Sequence, residues 1–301
     1  MRYPLIEHRN AVVTGCSSGI GLATALRLRD ARWNVCPTAR RPDDLEMLRA
    51  KGFRPVAMDL GDEASVAAGA AAILKSFDDR LGALVNNAGY GQPGALEDLP
   101  RAALREQFEV NLFGLQDLTN RLLPAFRRLG RGRIVNVSSV VGRVALPFMG
   151  AYSGSKFALE AFSDAMRVEL TGTGIAVCLI EPGPIETRFG DRAVEAGTRR
   201  LSGVESPFSA SYRHYLRRLE ARNERPDPFR QPPAAVAVKI LHAVSSARPR
   251  RRYPVTVPAH LGRFLARFSP AAFIDAVMRR RLRDRFPDGA RRIQEARPDP
   301  T

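Results

Sequence analysis

The chain predicts an α/β fold: a doubly wound parallel sheet of about seven strands covered by helices on both faces. Three observations carry this expectation. Short β-branched apolar runs alternate with longer stretches rich in Ala, Leu and Arg, the rhythm of parallel strands joined by crossover helices. The short runs are continuously apolar rather than alternating, as strands buried on both faces are. The first run ends in a glycine-rich turn that opens a helix, the arrangement of a nucleotide-binding sheet.

Taken in order, AVVTG at 11–15 is the first strand and IGLATALRLRDA the helix after it. NVCPTA at 34–39, RPVAMDL at 54–60 and ALVNNAG at 83–89 are the next three strands with their turns, each followed by a helical segment. IVNVSS at 134–139 and IAVCLIEPG at 175–183 make the fifth and sixth, and RYPVTV at 252–257 the seventh, after the helical AAVAVKILHAV. Residues 187–231 break the rhythm with a polar, Arg-rich stretch placed to cover ligands beyond the strand ends. We read it as a substrate lid with one or two helices, against a disordered linker.

Residues 259–286 carry apolar positions at helical spacing, Leu261, Phe264, Leu265 and Phe268, then Phe273, Ile274, Val277, Met278 and Leu282. Ser269-Pro270 fits a cap with Pro at the first helical position, so two amphipathic helices are expected. The division is a nucleotide-binding domain over 1–258, including the lid, and a basic helical extension over 259–301.

Charge is lopsided: the formal net charge is +16, and from Arg248 onward fourteen Arg face five acids. A basic tail can seek phosphates or an anionic membrane. An Arg-rich composition produces the same tail, and packing of the apolar faces on the domain or a second subunit is preferred over membrane contact; no nucleic acid is expected. Cys16, Cys36 and Cys178 lack metal or redox spacing and read as buried, reduced thiols, and no run is long and apolar enough to span a membrane. A cytoplasmic location is the expectation.

TGCSSGIG at 14–21 places Gly15, Gly19 and Gly21 at the strand-to-helix turn, with Ser17, Ser18 and Ile20 between them. Glycines let backbone amides approach a pyrophosphate, and the helix amino terminus favours the anion. At the end of the second strand, where an NAD-binding protein commonly carries an acid for the ribose hydroxyls, this chain reads Ala39-Arg40-Arg41. Guanidinium groups suit a 2′-phosphate, which favours NADP over NAD; a solvated surface is the plainer account of the same pair.

Only four of the 47 Lys plus Arg are lysines, and one of them, Lys156, lies one helical turn after Tyr152 in AYSGSK. At i and i+4 the two side chains share a helix face. An ammonium beside a phenol favours the phenolate and lowers the phenol's pKa, as acid–base catalysis requires, although such pairs are more often ordinary surface neighbours.

With TGCSSGIG, Asp59-Leu60, NNAG at 86–89, Asn111, Ser139, Tyr152-Ser-Gly-Ser-Lys156 and PGPIET at 182–187 in order, residues 9–260 resemble the short-chain dehydrogenase/reductase family, and less specifically its 17β-hydroxysteroid and retinol dehydrogenase subgroup. The resemblance implies a Rossmann-type fold and an oxidoreductase interconverting a carbonyl and an alcohol with NADP(H), on a steroid, retinoid or acyl-type substrate. It implies that Tyr152 exchanges the proton, Ser139 rather than Ser138 holds the substrate oxygen, Lys156 binds the nicotinamide ribose, and Asn111 joins Lys156 in a proton relay. It further implies that Asp59 and the Leu60 backbone meet the adenine, that Asn87, Ala88 and Gly89 floor the cofactor site, and that the nicotinamide-side loop with Pro182 and Gly183 lets Thr187 and the Ile185 backbone hold the carboxamide. Family members are commonly dimers or tetramers. Phe148, Met149, Phe189, Tyr212 and Tyr215 are candidate pocket walls, with plain core or lid packing the preferred reading. A non-catalytic NADP-binding sensor is the alternative, but its damaged triad is not seen.

Overall fold

A computed structural model describes residues 2–220 and 227–285; the remainder of the expected lid, 221–226, and of the basic extension, 286–301, lie outside the described residues. Seven parallel strands, β1 (Asn10–Val13), β2 (Asn34–Ala39), β3 (Val56–Ala57), β4 (Ala83–Asn86), β5 (Gly132–Val137), β6 (Ile175–Glu181) and β7 (Arg252–Pro254), form one sheet in the order β3-β2-β1-β4-β5-β6-β7. The order reverses between β1 and β4, and a doubly wound sheet binds its ligands in the crevice beyond that point.

Both faces are covered, and the strands alternate between two cores. Val13, Val35, Val85, Val135 and Ile180 face one core with α1 (Gly19–Asp30), α2 (Pro42–Ala50) and α9 (Pro233–Ser245). Val12, Cys36, Leu84, Ile134 and Val177 face the other with α3 (Glu63–Ser76), α5 (Gly114–Leu129) and α6 (Gly150–Glu169). This explains the unbroken apolar runs in the sequence: neither side of a strand meets water. The three cysteines are free and buried, and burial raises each thiol well above its usual range.

Two strands are shorter than the sequence suggested. β3 keeps only Val56–Ala57 of 54–60, because Pro55 has no amide to donate and the Asp59 amide is taken by Ser65 Oγ at 2.9 Å. β7 stops at Pro254, and from Val257 the chain is already helical as α10 (Val257–Phe268), capped by the Thr256 hydroxyl accepting from the Ala259 amide. α11 (Ala271–Arg285) follows, with Pro270 rather than Ser269 at its start: the Phe273 and Ile274 amides donate to the Pro270 carbonyl, while Ser269 ends α10.

The stretch after β6 carries two helices, α7 (Phe189–Leu201) and α8 (Ser209–Glu220). α8 is fastened to the domain by Tyr212, whose hydroxyl donates to Asp98 and accepts from the Ala95 amide at 3.0 Å. Phe148 and Tyr212 sit in this packing, their rings edge to face at 5.7 Å between centroids. Among the described residues no helix is long and apolar enough to cross a membrane.

Candidate active site

A cleft of about 760 Å³ opens above the carboxyl ends of β1, β4, β5 and β6. Along one side run Gly15, Ser18, Gly19, Ile20, Asn87, Ala88 and Gly89, and at the other end stand Ser139, Tyr152, Lys156, Pro182, Gly183, Ile185 and Thr187. These lie far apart in sequence and share one space because each follows a strand of the same sheet or starts the next helix. Gly21 packs beneath the turn, where a Cβ would stand 2.3 Å from the Gly15 carbonyl oxygen. Arg40, Arg41, Asp59 and Leu60 do not line the cleft; they lie at or beyond the ends of β2 and β3.

The glycine turn is built for a close visitor. Gly15 has φ +71°, and a Cβ there would meet the Ala88 backbone at 2.8 Å. Asn87 stitches the two turns together, its Nδ2 donating to the Thr14 carbonyl at 2.9 Å and the Gly15 carbonyl at 3.2 Å. Ser18 is the N-cap of α1, yet its side chain makes no capping hydrogen bond. The leading amides of α1 are therefore not covered by their own cap, which fits a pyrophosphate resting there.

Two expected cofactor contacts carry internal partners. Asp59 accepts from the Gly61 amide at 3.0 Å and from Arg40 at 3.3 Å, the capping role in addition to any adenine contact. Arg41 Nε donates to Asp44 at 3.1 Å. Leu60 buries its side chain in the core.

Tyr152 is buried against Val141 and Met149, with the Phe189 ring 5.2 Å away. Burial pushes its phenol up to about 12, partly offset by a hydrogen bond with Ser139. The sequence reading had an ammonium pulling this phenol down; burial outweighs any such pull, and Lys156 Nζ stands 5.9 Å from the ring centroid, donating to the Val137 carbonyl at 2.9 Å. Burial takes the Lys156 ammonium from 10.5 down to about 8, with Glu160, one turn on, holding it up. At neutral pH the phenol keeps its proton and the amine its charge.

Ser138 and Ser139 both border the cleft, but their hydroxyls go different ways: Ser139 donates to the Pro182 carbonyl at 3.4 Å, whereas the Ser138 hydroxyl is buried beside Gly142 and Glu160. Asn111 sits not in an ordinary helix but in a wide π-turn, Glu109–Phe113, between α4 (Arg101–Phe108) and α5. Such turns recur at functional sites. Its amide is fully engaged: Oδ1 accepts from the Tyr90 amide at 3.1 Å, and Nδ2 donates to the Tyr90 carbonyl at 2.9 Å and to Ser155 Oγ at 3.1 Å.

Behind Lys156 lies a cluster unseen in the sequence. The buried carboxylates Glu160 and Glu181 are bracketed by Arg143 and Arg252, with contacts of 2.8–3.2 Å. The sequence also gave no sign that α10 and α11 enter the site: Leu261, Leu265, Val277 and Met278 line the cleft, and Gly262 lies so close to Val140 that a Cβ would meet it at 2.7 Å. Phe148 and Tyr212 are lid packing, the preferred expectation, whereas Met149, Phe189 and Tyr215 line the cleft.

A glycine-turned parallel sheet with a serine, a tyrosine and a lysine at its carboxyl edge defines a dinucleotide-dependent oxidoreductase architecture. The sequence model of the short chain dehydrogenase family matches residues 9–196, and the chain belongs to that family. It is 41% identical over 273 residues, covering 91% of this chain and 95% of the other, to the uncharacterized oxidoreductase YbbO of Escherichia coli K12. It is 35% identical to human retinol dehydrogenase 16, over 91% of this chain and 88% of that protein. In structure it resembles a short-chain dehydrogenase/reductase from Burkholderia phymatum in complex with NAD, with a TM-score of 0.74 at 25% identity, over 88% and 93% of the two chains.

Proposed function

We propose that this enzyme interconverts a ketone or aldehyde and the corresponding alcohol on a lipophilic substrate, with NADP(H) as its cofactor. The reading rests on one observation above others: Ser139, Tyr152 and Lys156 stand together on the wall of a cleft whose further walls, Met149, Phe189, Leu261 and Val277, are apolar. Similarity to a retinol dehydrogenase supports an apolar substrate. Arg40 and Arg41 after β2, where no acid stands, support NADP rather than NAD.

When bound, the dinucleotide supplies or accepts the hydride. Gly15, Ser17, Ser18, Gly19, Ile20 and Gly21 would form the turn for its pyrophosphate, Asp59 and Leu60 would meet the adenine, Asn87, Ala88 and Gly89 would floor the site, and Ile185 and Thr187, on the loop begun by Pro182 and Gly183, would hold the carboxamide. In reduction Tyr152, protonated at neutral pH, donates its proton to the substrate oxygen while Ser139 donates a hydrogen bond to it. Lys156, charged below about pH 8, steadies the phenolate so formed and binds the nicotinamide ribose. Asn111, held by Tyr90 and Ser155 beside Gly89 and Lys156, takes part in returning a proton towards Lys156 through water. The reverse sequence oxidises an alcohol, so the nucleotide pools set direction.

Exposed Phe113 on the π-turn before α5, with exposed Phe157 and Phe162 on α6, supports a homo-oligomer built through these elements. The central test is Tyr152→Phe, with wild type first screened for NADPH consumption against steroid, retinoid, acyl and small carbonyl compounds. The variant retains NADPH binding and loses nearly all turnover; undiminished turnover defeats the assignment.

A further inference from the structure

Arg192, in the first turn of α7, lies on the cleft wall and reaches across to the glycine turn, where its Nη2 donates to Ser17 Oγ at 2.5 Å. Ser17 is neutral, and among the described residues no carboxylate lies within ion-pair distance of this guanidinium. Its charged neighbours are Asp44, Arg41, Arg188 and Arg40, so its head lies over the carboxyl end of β2. Arg41 is paired with Asp44 at 3.1 Å and also feels Asp43 and Glu195, and Arg40 is paired with Asp59 at 3.3 Å. Partial desolvation, with repulsion from the three neighbouring arginines, holds Arg192 below the usual arginine range, and only Asp44 opposes this.

Four guanidinium groups, Arg40 and Arg41 from the end of β2 and Arg188 and Arg192 from the start of the lid, thus act on one another, and Arg192 meets only a hydroxyl. Crowding like charge at one point raises the potential there and favours a bound anion. A planar guanidinium matches a phosphate in charge and in geometry. In a doubly wound sheet the adenosine ribose lies at the end of the second strand, so the anion placed there is a phosphate monoester on its 2′ oxygen.

We propose that Arg192 is a lid-borne ligand of the cofactor's 2′-phosphate, which takes the guanidinium over from Ser17 and fastens α7 above the cleft. The inference rests on the NADP reading above. α7 also carries Phe189 and Ala193 on the cleft wall, so the group that recognises the phosphate shares a rigid helix with part of the substrate site.

The test titrates NADPH and NADH into the full chain by nucleotide fluorescence, for wild type, Arg192→Gln and Arg41→Gln. Losing a charge-assisted bond to phosphate weakens NADPH by about 10- to 100-fold in Arg192→Gln, while NADH changes by less than about twofold, which also shows that the variant is folded. Unchanged NADPH affinity, or equal weakening of both nucleotides, overturns the role of Arg192. If Arg41→Gln alone discriminates, the NADP reading stands and the Arg192 proposal falls. If wild type binds NADH as tightly as NADPH, both fall.

Discussion

Lys156→Met should make the protein more stable while disabling it. Burial lowers the ammonium from 10.5 to about 8, so keeping it charged at pH 7 costs the ligand-free fold about 3 kcal/mol. Methionine has nearly the same length and no charge to desolvate. Against this stands the bond from Nζ to the Val137 carbonyl, whose loss costs about 1–2 kcal/mol. The net is a gain of about 1–2 kcal/mol, and with about 2–4 °C per kcal/mol for a chain of this size the melting temperature rises by about 2–8 °C. The pH dependence gives the sharper test. The pKa is lower in the folded state than in the unfolded one, so between about 8 and 10.5 the unfolded chain binds the extra proton and wild-type stability rises with pH from this group. The advantage of Lys156→Met must therefore be full at pH 7 and shrink through that window. Calorimetric melts of both proteins without nucleotide at pH 7, 8, 9 and 10 measure it. A gap that stays constant across the series, or a variant that melts lower at pH 7, refutes the reasoning.

Two further outcomes follow from packing and charge. In Gly21→Ala the new Cβ would stand 2.3 Å from the Gly15 oxygen and 2.6 Å from Asn87 Nδ2, so the turn must shift; melting should drop by about 1–3 kcal/mol and nucleotide affinity should weaken together with it, whereas Gly52→Ala, whose Cβ meets nothing within 4 Å, should leave affinity untouched. Arg252→Met strips a cation from the buried Glu160–Glu181 pair and should cost about 3–5 kcal/mol, readable in a urea melt; a loss under about 1 kcal/mol would mean that Arg143 suffices.

Much of this molecule is legible in its residues because the sheet is buried on both sides. Val12 and Val13 belong to different cores, so β1 could only be apolar throughout, and the same holds for β5 and β6. Ser139, Tyr152 and Lys156 were legible because strand and helix spacing bring them to one end of one crevice. What escaped is of another kind. The π-turn at Asn111 carries no propensity signal, since it is held by Tyr90 and Ser155 from elsewhere in the chain. The sign of the Tyr152 shift depends on how dry the site is, and a helix face cannot show that. Arg192 meets Ser17 across 175 residues, and α10 reaches the site through close fits such as that of Gly262 on Val140.

That last fit links the end of the described chain to the chemistry. Gly183, on the loop expected to meet the nicotinamide, lies so close to Thr256 that a Cβ would stand 2.1 Å from its hydroxyl, and Thr256 caps the helix that supplies Leu261 and Leu265 to the cleft. The cleft is thereby made by two different stretches of polypeptide: the proton-handling residues sit on the repeating βα units, while α10 and α11 bring apolar walls from beyond the last strand. A chimera carrying another relative's residues 257–285 on this sheet would change Leu261, Leu265, Val277 and Met278 on the cleft wall and leave Ser139, Tyr152 and Lys156 in place.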